Sequence, residues 1–271
     1  MVEVKIRYRV GGFLWYKNLA VAMPQSASEC SLEQLKLLTM YWMREKPGYD
    51  TKLRVVAILL DIKMRLLLRV DLENRYRLCE LSAWVFDLPC FTEKKLCEFK
   101  IAGKVFKGPE ECLFNSSFIE FVHADENMFN FASTGNVAYR DQLIATLYRP
   151  PKSKKQLLAE HNSGKYNGDL RRPYNYFMTE VYTKPIEKLP ESYKQIICMF
   201  YYGCKKYIVE QFQEVFGSGE NSFDTENPYA IAQKILAKEG SLGDLEKVQN
   251  ENLYNALSLL SDLIKQSKKH E

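Results

Sequence analysis

Glu120 and His123 stand three residues apart in "FIEFVHADEN" (118–127), and on a helix that spacing places a carboxylate and an imidazole on one face. Glu-x-x-His is half of the ligand set of a di-iron carboxylate centre, which needs a second such pair on another helix and two further glutamates. The remaining histidines, His161 and His270, have a leucine and a serine three residues before them, so no second pair exists. Asn127 and Asn130 continue the same face, while Phe121, Ala124, Met128 and Phe131 form an apolar stripe on another. The face holding Glu120 and His123 is therefore expected to be a wet helix side. No metal, cofactor or catalytic residue is assigned.

Other reactive patterns are equally incomplete. No GxSxG elbow occurs, and "GSGENS" (217–222) lacks the GK[ST] ending of a phosphate loop. The seven cysteines include no CxxC pair, and Cys198 and Cys204 flank "MFYYG" at a spacing that suits neither zinc nor redox chemistry, so reduced, mostly buried thiols are expected. Three stretches mix cations with aromatics in the manner of single-strand binders: "RYR" (75–77), "KSKK" (152–155) and "RRPYNYF" (171–177). Acidic residues are interspersed, and the net charge is only +4. Within the last stretch Arg171, Arg172 and Tyr174 form a candidate interface, since guanidinium groups make paired hydrogen bonds to carboxylate or phosphate. The chain carries 17 tyrosines and 15 phenylalanines, a composition that suits contact surfaces as well as cores. The reading is of a non-enzymatic protein. The alternatives are a nucleic-acid-binding accessory protein and an enzyme whose site is assembled from residues distant in sequence.

The elements that must position these residues are mainly helical. "MVEVKIRYRV" alternates with period two, which predicts a strand; Gly11-Gly12 supplies a turn and "FLWYKNLAVAM" the returning strand. Ser31-Leu32-Glu33-Gln34 is a capping box that starts a helix running through Trp42. Further helices are expected over Thr51–Val70 and Leu72–Phe86. "LCEFKIAGKVFKG" turns at Ala102-Gly103 and predicts a second short hairpin. Helical pattern resumes at Ser117 and continues, with a break near Gly135, to "DQLIATLYRPP".

The polar stretch 150–173 reads as a long loop with at most one helical turn at "KQLLAE", too polar to bury and open to protease until a partner covers it. Helices then follow over Tyr174–Tyr182 and Pro190–Phe216, with Phe200 at the centre of a C-terminal lobe. Two shorter helices come last, the final one carrying Leu253, Leu257, Leu260 and Ile264 at helical spacing. The fold class is mainly α: a helical bundle with a small N-terminal β-hairpin and a second short mid-chain hairpin. The expected organisation is an N-terminal lobe (1–149), the polar loop (150–173) and a C-terminal helical lobe (174–271), which would also be compatible with one continuous domain. The apolar runs "VVAILL" and "IICMFYY" are too short to span a bilayer, so no membrane partner is expected.

Several blocks in order carry a resemblance: the N-terminal hairpin leading into "MPQSASECSLEQL", then "LIATLYRP" (143–150), "NGDLRRPYN" (167–175), "YYGCKKYIVEQFQEVF" (201–216) and "EGSLGDLEKVQNENLYNALSLL" (239–260). Together these resemble a sparsely characterised group of tail- and virion-assembly proteins encoded by bacteriophages and prophages. The chain departs from that group at "SASEC" (26–30), where a tryptophan is expected near the first helix. The resemblance implies a tail or connector component, or a tail-assembly chaperone. Its partners would be other phage structural or assembly proteins, or further copies of itself. Its place would be the host cytoplasm during assembly and then the mature virion. No catalytic residue is carried over from the resemblance.

Overall fold

A computed structural model of the chain describes residues 1–10, 15–164, 166–217, 236–237 and 244–267. It is mainly α, with twelve α-helices and two two-stranded antiparallel hairpins among the described residues. They group into two compact units: 1–91 with 191–200, and 92–190 with 201–271. The boundaries expected at 150 and 173 both fall inside the second unit.

In the first unit, β1 (Val2–Val10) pairs with β2 (Trp15–Met23) in a register running from Val2 opposite Met23 to Val10 opposite Trp15. Alternation holds: Ile6 is buried and Val4, Tyr8 and Val10 are half-buried, while Lys5, Arg7 and Arg9 are exposed. The turn at Gly11-Gly12 lies outside the described residues.

α1 (Leu32–Leu38) begins at the expected capping box. Ser31 Oγ accepts from the Gln34 amide at 3.2 Å, and Gln34 Oε1 accepts from the Ser31 amide at 2.9 Å. The free amide end of Gln34 donates to the carbonyls of Ile58 and Leu59, tying α1 to the end of α2 (Tyr49–Leu59).

The long helix expected over Thr51–Val70 is instead divided. Asp61 takes a left-handed φ of 51°, its amide bonds to Ile58 O, and the Ile62 amide reaches back to Ala57 O. That pair of bonds is a Schellman motif, with an aspartate where glycine is usual. A short α3 (Met64–Leu67) follows, then α4 (Leu72–Leu81), capped by Asp71. Phe200 is buried in this unit against Phe91, with ring centroids 6.3 Å apart, and not in a C-terminal lobe as expected.

In the second unit, β3 (Glu98–Ile101) and β4 (Lys104–Lys107) form the expected hairpin. Its two-residue turn has positive φ at both Ala102 (48°) and Gly103 (75°), the twist that matches antiparallel strands. α5 (Phe118–Thr134) starts at Ser117, whose hydroxyl accepts from the Glu120 amide, and stops at Gly135, whose φ of 68° no side chain obstructs. Asn136 then caps α6 (Val137–Leu147), which packs against α5 and against α8 (Tyr176–Ile186).

The segment 150–173 differs most from expectation. It holds a nine-residue helix, α7 (Lys154–Asn162), with a second complete capping box between Ser153 and Gln156. Its two ends are zipped together: Pro151 bridges Arg171, the Lys152 amide donates to Leu170 O at 2.8 Å, and the Arg172 amide to Pro150 O at 2.9 Å. Far from a free loop, it is closed at its base.

The apolar segment expected over Pro190–Phe216 forms α9 (Glu191–Gln211) and a single further turn, α10 (Gln213–Phe216), separated at Phe212. Residues 191–200 of α9 count with the first unit and the rest with the second. Two more helices, α11 (Leu245–Asn250) and α12 (Leu253–Ser267), complete the described chain; Leu253, Leu257 and Leu260 are buried as their spacing requires. "GSGENS" beyond Gly217 and residues 268–271 lie outside the described residues. No described helix is long and apolar enough to cross a membrane.

Candidate functional site

Glu120 does not face water. It is 1% exposed, at the centre of four charges buried in the second unit. The first two turns of α5 are enclosed on several faces, with Phe118, Phe121, Val122, Ala124 and Asp125 buried along with it. Arg149, just after α6, and Arg171, at the closed base of segment 150–173, are 2% and 1% exposed; Asp169 completes the set.

Arg171 Nη1 donates to Glu120 Oε1 at 2.6 Å and to Leu147 O at 2.8 Å. Its Nε and Nη2 form a fork on Asp169, at 2.9 and 3.0 Å, and Nη2 also lies within reach of Ser116 Oγ and Asn115 Oδ1. Arg149 Nη2 donates to Glu120 Oε2 at 3.0 Å, Nε to Arg172 O at 2.8 Å, and Nη1 to Thr146 O. Ser116 Oγ donates to Glu120 Oε1 at 3.3 Å.

Two guanidinium groups thus offset two carboxylates, and each N–H of Arg171 finds an acceptor. Burial works against the charge on Arg171, but Glu120 and Asp169 outweigh it and raise its pKa further. With its donors saturated, this cluster has no free guanidinium edge for an external phosphate or carboxylate. What it does is mechanical: it joins α5, the end of α6 and both ends of segment 150–173 at one point.

The sequence-derived site residues separate accordingly. Arg171 is interior, contrary to its expected place at an interface. Arg172 is exposed, with its carbonyl bound by Arg149. Tyr174 is half-buried, its ring 5.9 Å from the Arg149 guanidinium and 5.6 Å from the His123 ring. Burial, aided by the nearby charge of Glu120, pushes the Tyr174 phenol up to about 12 despite hydrogen bonds with Thr179 and Thr146.

His123 is partly exposed, pairs with Glu126 at 3.1 Å, and its ring lies tilted against that of Tyr176 with centroids 5.2 Å apart. Among the described residues no group of three His, Cys, Asp or Glu side chains converges as metal ligands would. All seven cysteines are free thiols and five of them are buried. Burial pushes Cys79, Cys112 and Cys204 above the usual thiol range, which suppresses the reactive thiolate.

Beyond the cluster the chain emerges as an apolar edge. Tyr176 is 63% and Phe177 84% exposed at the start of α8; Val181, one turn on from Phe177, and Leu170 are exposed as well. Single exposed hydrophobics are ordinary; several on one short stretch make a candidate contact surface. Asn175 caps this helix through the Phe177 amide at 3.0 Å, so the edge stands on ordered backbone. No protein-family model matches the chain, and neither a curated protein nor a solved structure is detectably similar to it.

Two outcomes test the cluster. Arg171→Met leaves Glu120 and Asp169 without their main counter-charge and is expected to lower unfolding free energy by about 3–5 kcal/mol. Arg172→Met next to it is expected to change stability by no more than about 0.5 kcal/mol; chemical denaturation of both variants checks the contrast. The second outcome concerns pH. Because the folded phenol of Tyr174 is raised above its unfolded value, its contribution is complete below about 10 and is lost as pH rises towards about 12. Tyr174→Phe is expected to make the alkaline loss of stability shallower by up to one proton, measured by urea unfolding between those pH values.

Proposed function

We propose that this chain is a non-enzymatic assembly protein of a bacteriophage particle, acting through protein–protein contact as a tail or connector component or as a chaperone of tail assembly. The observation that carries the contact part of this reading is the exposed apolar edge Tyr176–Phe177–Val181, anchored next to a saturated buried ion cluster. A contact surface gains affinity when its anchors are rigid before binding, because less ordering entropy opposes association. Aromatic side chains are the usual anchors of such surfaces. The phage part rests on the sequence blocks, of which "LIATLYRP" and "NGDLRRPYN" supply Arg149, Asp169 and Arg171. The blocks that carry the resemblance therefore include three of the four charges of the buried cluster. The partners on this reading are other particle proteins or further copies of the chain, met in the host cytoplasm and retained in the virion if the chain is a component.

Co-expression with the products of the genes flanking its own tests the proposal. A head, tail or connector protein is expected to co-purify at fixed stoichiometry. Tyr176→Ser with Phe177→Ser is expected to weaken that association at least about tenfold with an unchanged melting temperature, since both side chains already face water. Undiminished association of the double variant, or partners unrelated to particles, would overturn it.

A further inference from the structure

The first unit carries a second charged arrangement of opposite character. An open groove of about 400 Å³ is lined by Tyr8 and Val10 of β1, Lys17 of β2, and Arg65, Leu66 and Arg69 in and after α3. Backbone pairing sets this row. Tyr8 lies opposite Lys17 in the hairpin register, and on its other side it bridges Val70, with the Arg9 amide donating to Arg69 O at 3.3 Å. Arg65 precedes Arg69 by one helical turn.

Lys17, Arg65 and Arg69 are exposed, no lining residue is acidic, and none of these three cations has an ion pair or side-chain hydrogen bond among the described residues. On the reverse face of the hairpin Arg7 and Arg9 lie 4.2 and 6.0 Å from the centre of the Tyr16 ring, extending the positive field past the groove. In the buried cluster every guanidinium has its carboxylate; here three cations converge with none.

We propose that this groove binds the phosphodiester backbone of a single-stranded nucleic acid, with Tyr8 offering a ring on which one base stacks. Several cations around one groove fit a polyanion better than a single carboxylate, and guanidinium groups match phosphate in a forked geometry. An aromatic ring among tracking cations is the arrangement that holds single strands without reading their sequence. The groove has the volume of a site for one nucleotide-sized group, too small to seat a duplex.

Fluorescence anisotropy of a labelled oligothymidine with the full chain, titrated over salt, tests this. Three cations on phosphates predict a log–log salt slope of about −2, from about 0.7 per contact on single strands. Arg65→Gln with Arg69→Gln is expected to weaken binding at least about tenfold and to make the slope shallower by about 1.4. Tyr8→Leu is expected to weaken binding at least about fivefold and leave the slope unchanged, because stacking releases no counterions. Lys104→Gln, on the other hairpin, is expected to change neither. If the double variant does not retain its melting temperature, Lys17→Gln alone gives the reading, with a slope shallower by about 0.7. Absence of binding at low salt, or wild-type affinity in the charge variants, would overturn the proposal. So would a duplex of equal length binding as tightly, or inorganic tripolyphosphate displacing the strand at equal phosphate concentration, which would mark a site for small phosphates.

Discussion

Charges removed from water must find opposite charges and hydrogen bonds at once, or the group carrying them stays at the surface. Glu120, Arg149, Asp169 and Arg171 meet that condition only together. Each is nearly inaccessible, and together they come from three parts of the chain: the first turn of α5, the second residue after α6, and the closing end of segment 150–173. The arrangement is therefore all-or-none in a way an apolar contact is not. A leucine shifted by an ångström loses a little dispersion energy, whereas a guanidinium shifted by the same amount leaves a carboxylate unpaired.

This constraint explains why so polar a segment is ordered. The base of segment 150–173 is held by main-chain bonds across Pro150–Lys152 and Leu170–Arg172, and the Arg149 guanidinium adds a bond to the Arg172 carbonyl. From that point the chain has no freedom to choose where Tyr174 and α8 begin. Tyr176 and Phe177 are presented from a fixed origin although they are themselves exposed, with the His123 ring of α5 in contact with both Tyr174 and Tyr176. Surface and interior are thus linked through one backbone turn.

Local signals in the sequence translated faithfully into structure. The alternation of 2–10, the Ser31–Gln34 capping box, the Ala102-Gly103 turn and the Ser117-to-Gly135 helix all depend on residues within a few positions of one another. α7 was equally legible, since Ser153-Lys154-Lys155-Gln156 repeats the Ser-x-x-Gln pattern of Ser31–Gln34; the density of lysine and glycine around it drew the reading towards a loop. The break at Asp61 was less so, because "VVAILLDIKMRLLL" keeps helical apolar spacing straight through a residue that adopts a left-handed conformation. The site was hidden for a different reason. Glu120 and Arg171 are separated by 51 residues, and a carboxylate at helical spacing from a histidine and two asparagines looks like a wet face until its distant partners are known.

The two charged regions divide the labour of cations: saturated ones shape the second unit, and unsaturated ones remain for an external anion in the first. The central claim is the former, that the buried cluster holds segment 150–173 and the edge beyond it as part of the folded core. Hydrogen exchange of the isolated protein, followed residue by residue, addresses it most directly. The account predicts that the amides of Lys152, Arg171 and Arg172 exchange as slowly as those in the first turns of α5, opening only with the unfolding of the second unit. Exchange of these three amides within seconds, while α5 stays protected, would show the segment to be a mobile loop and would contradict it.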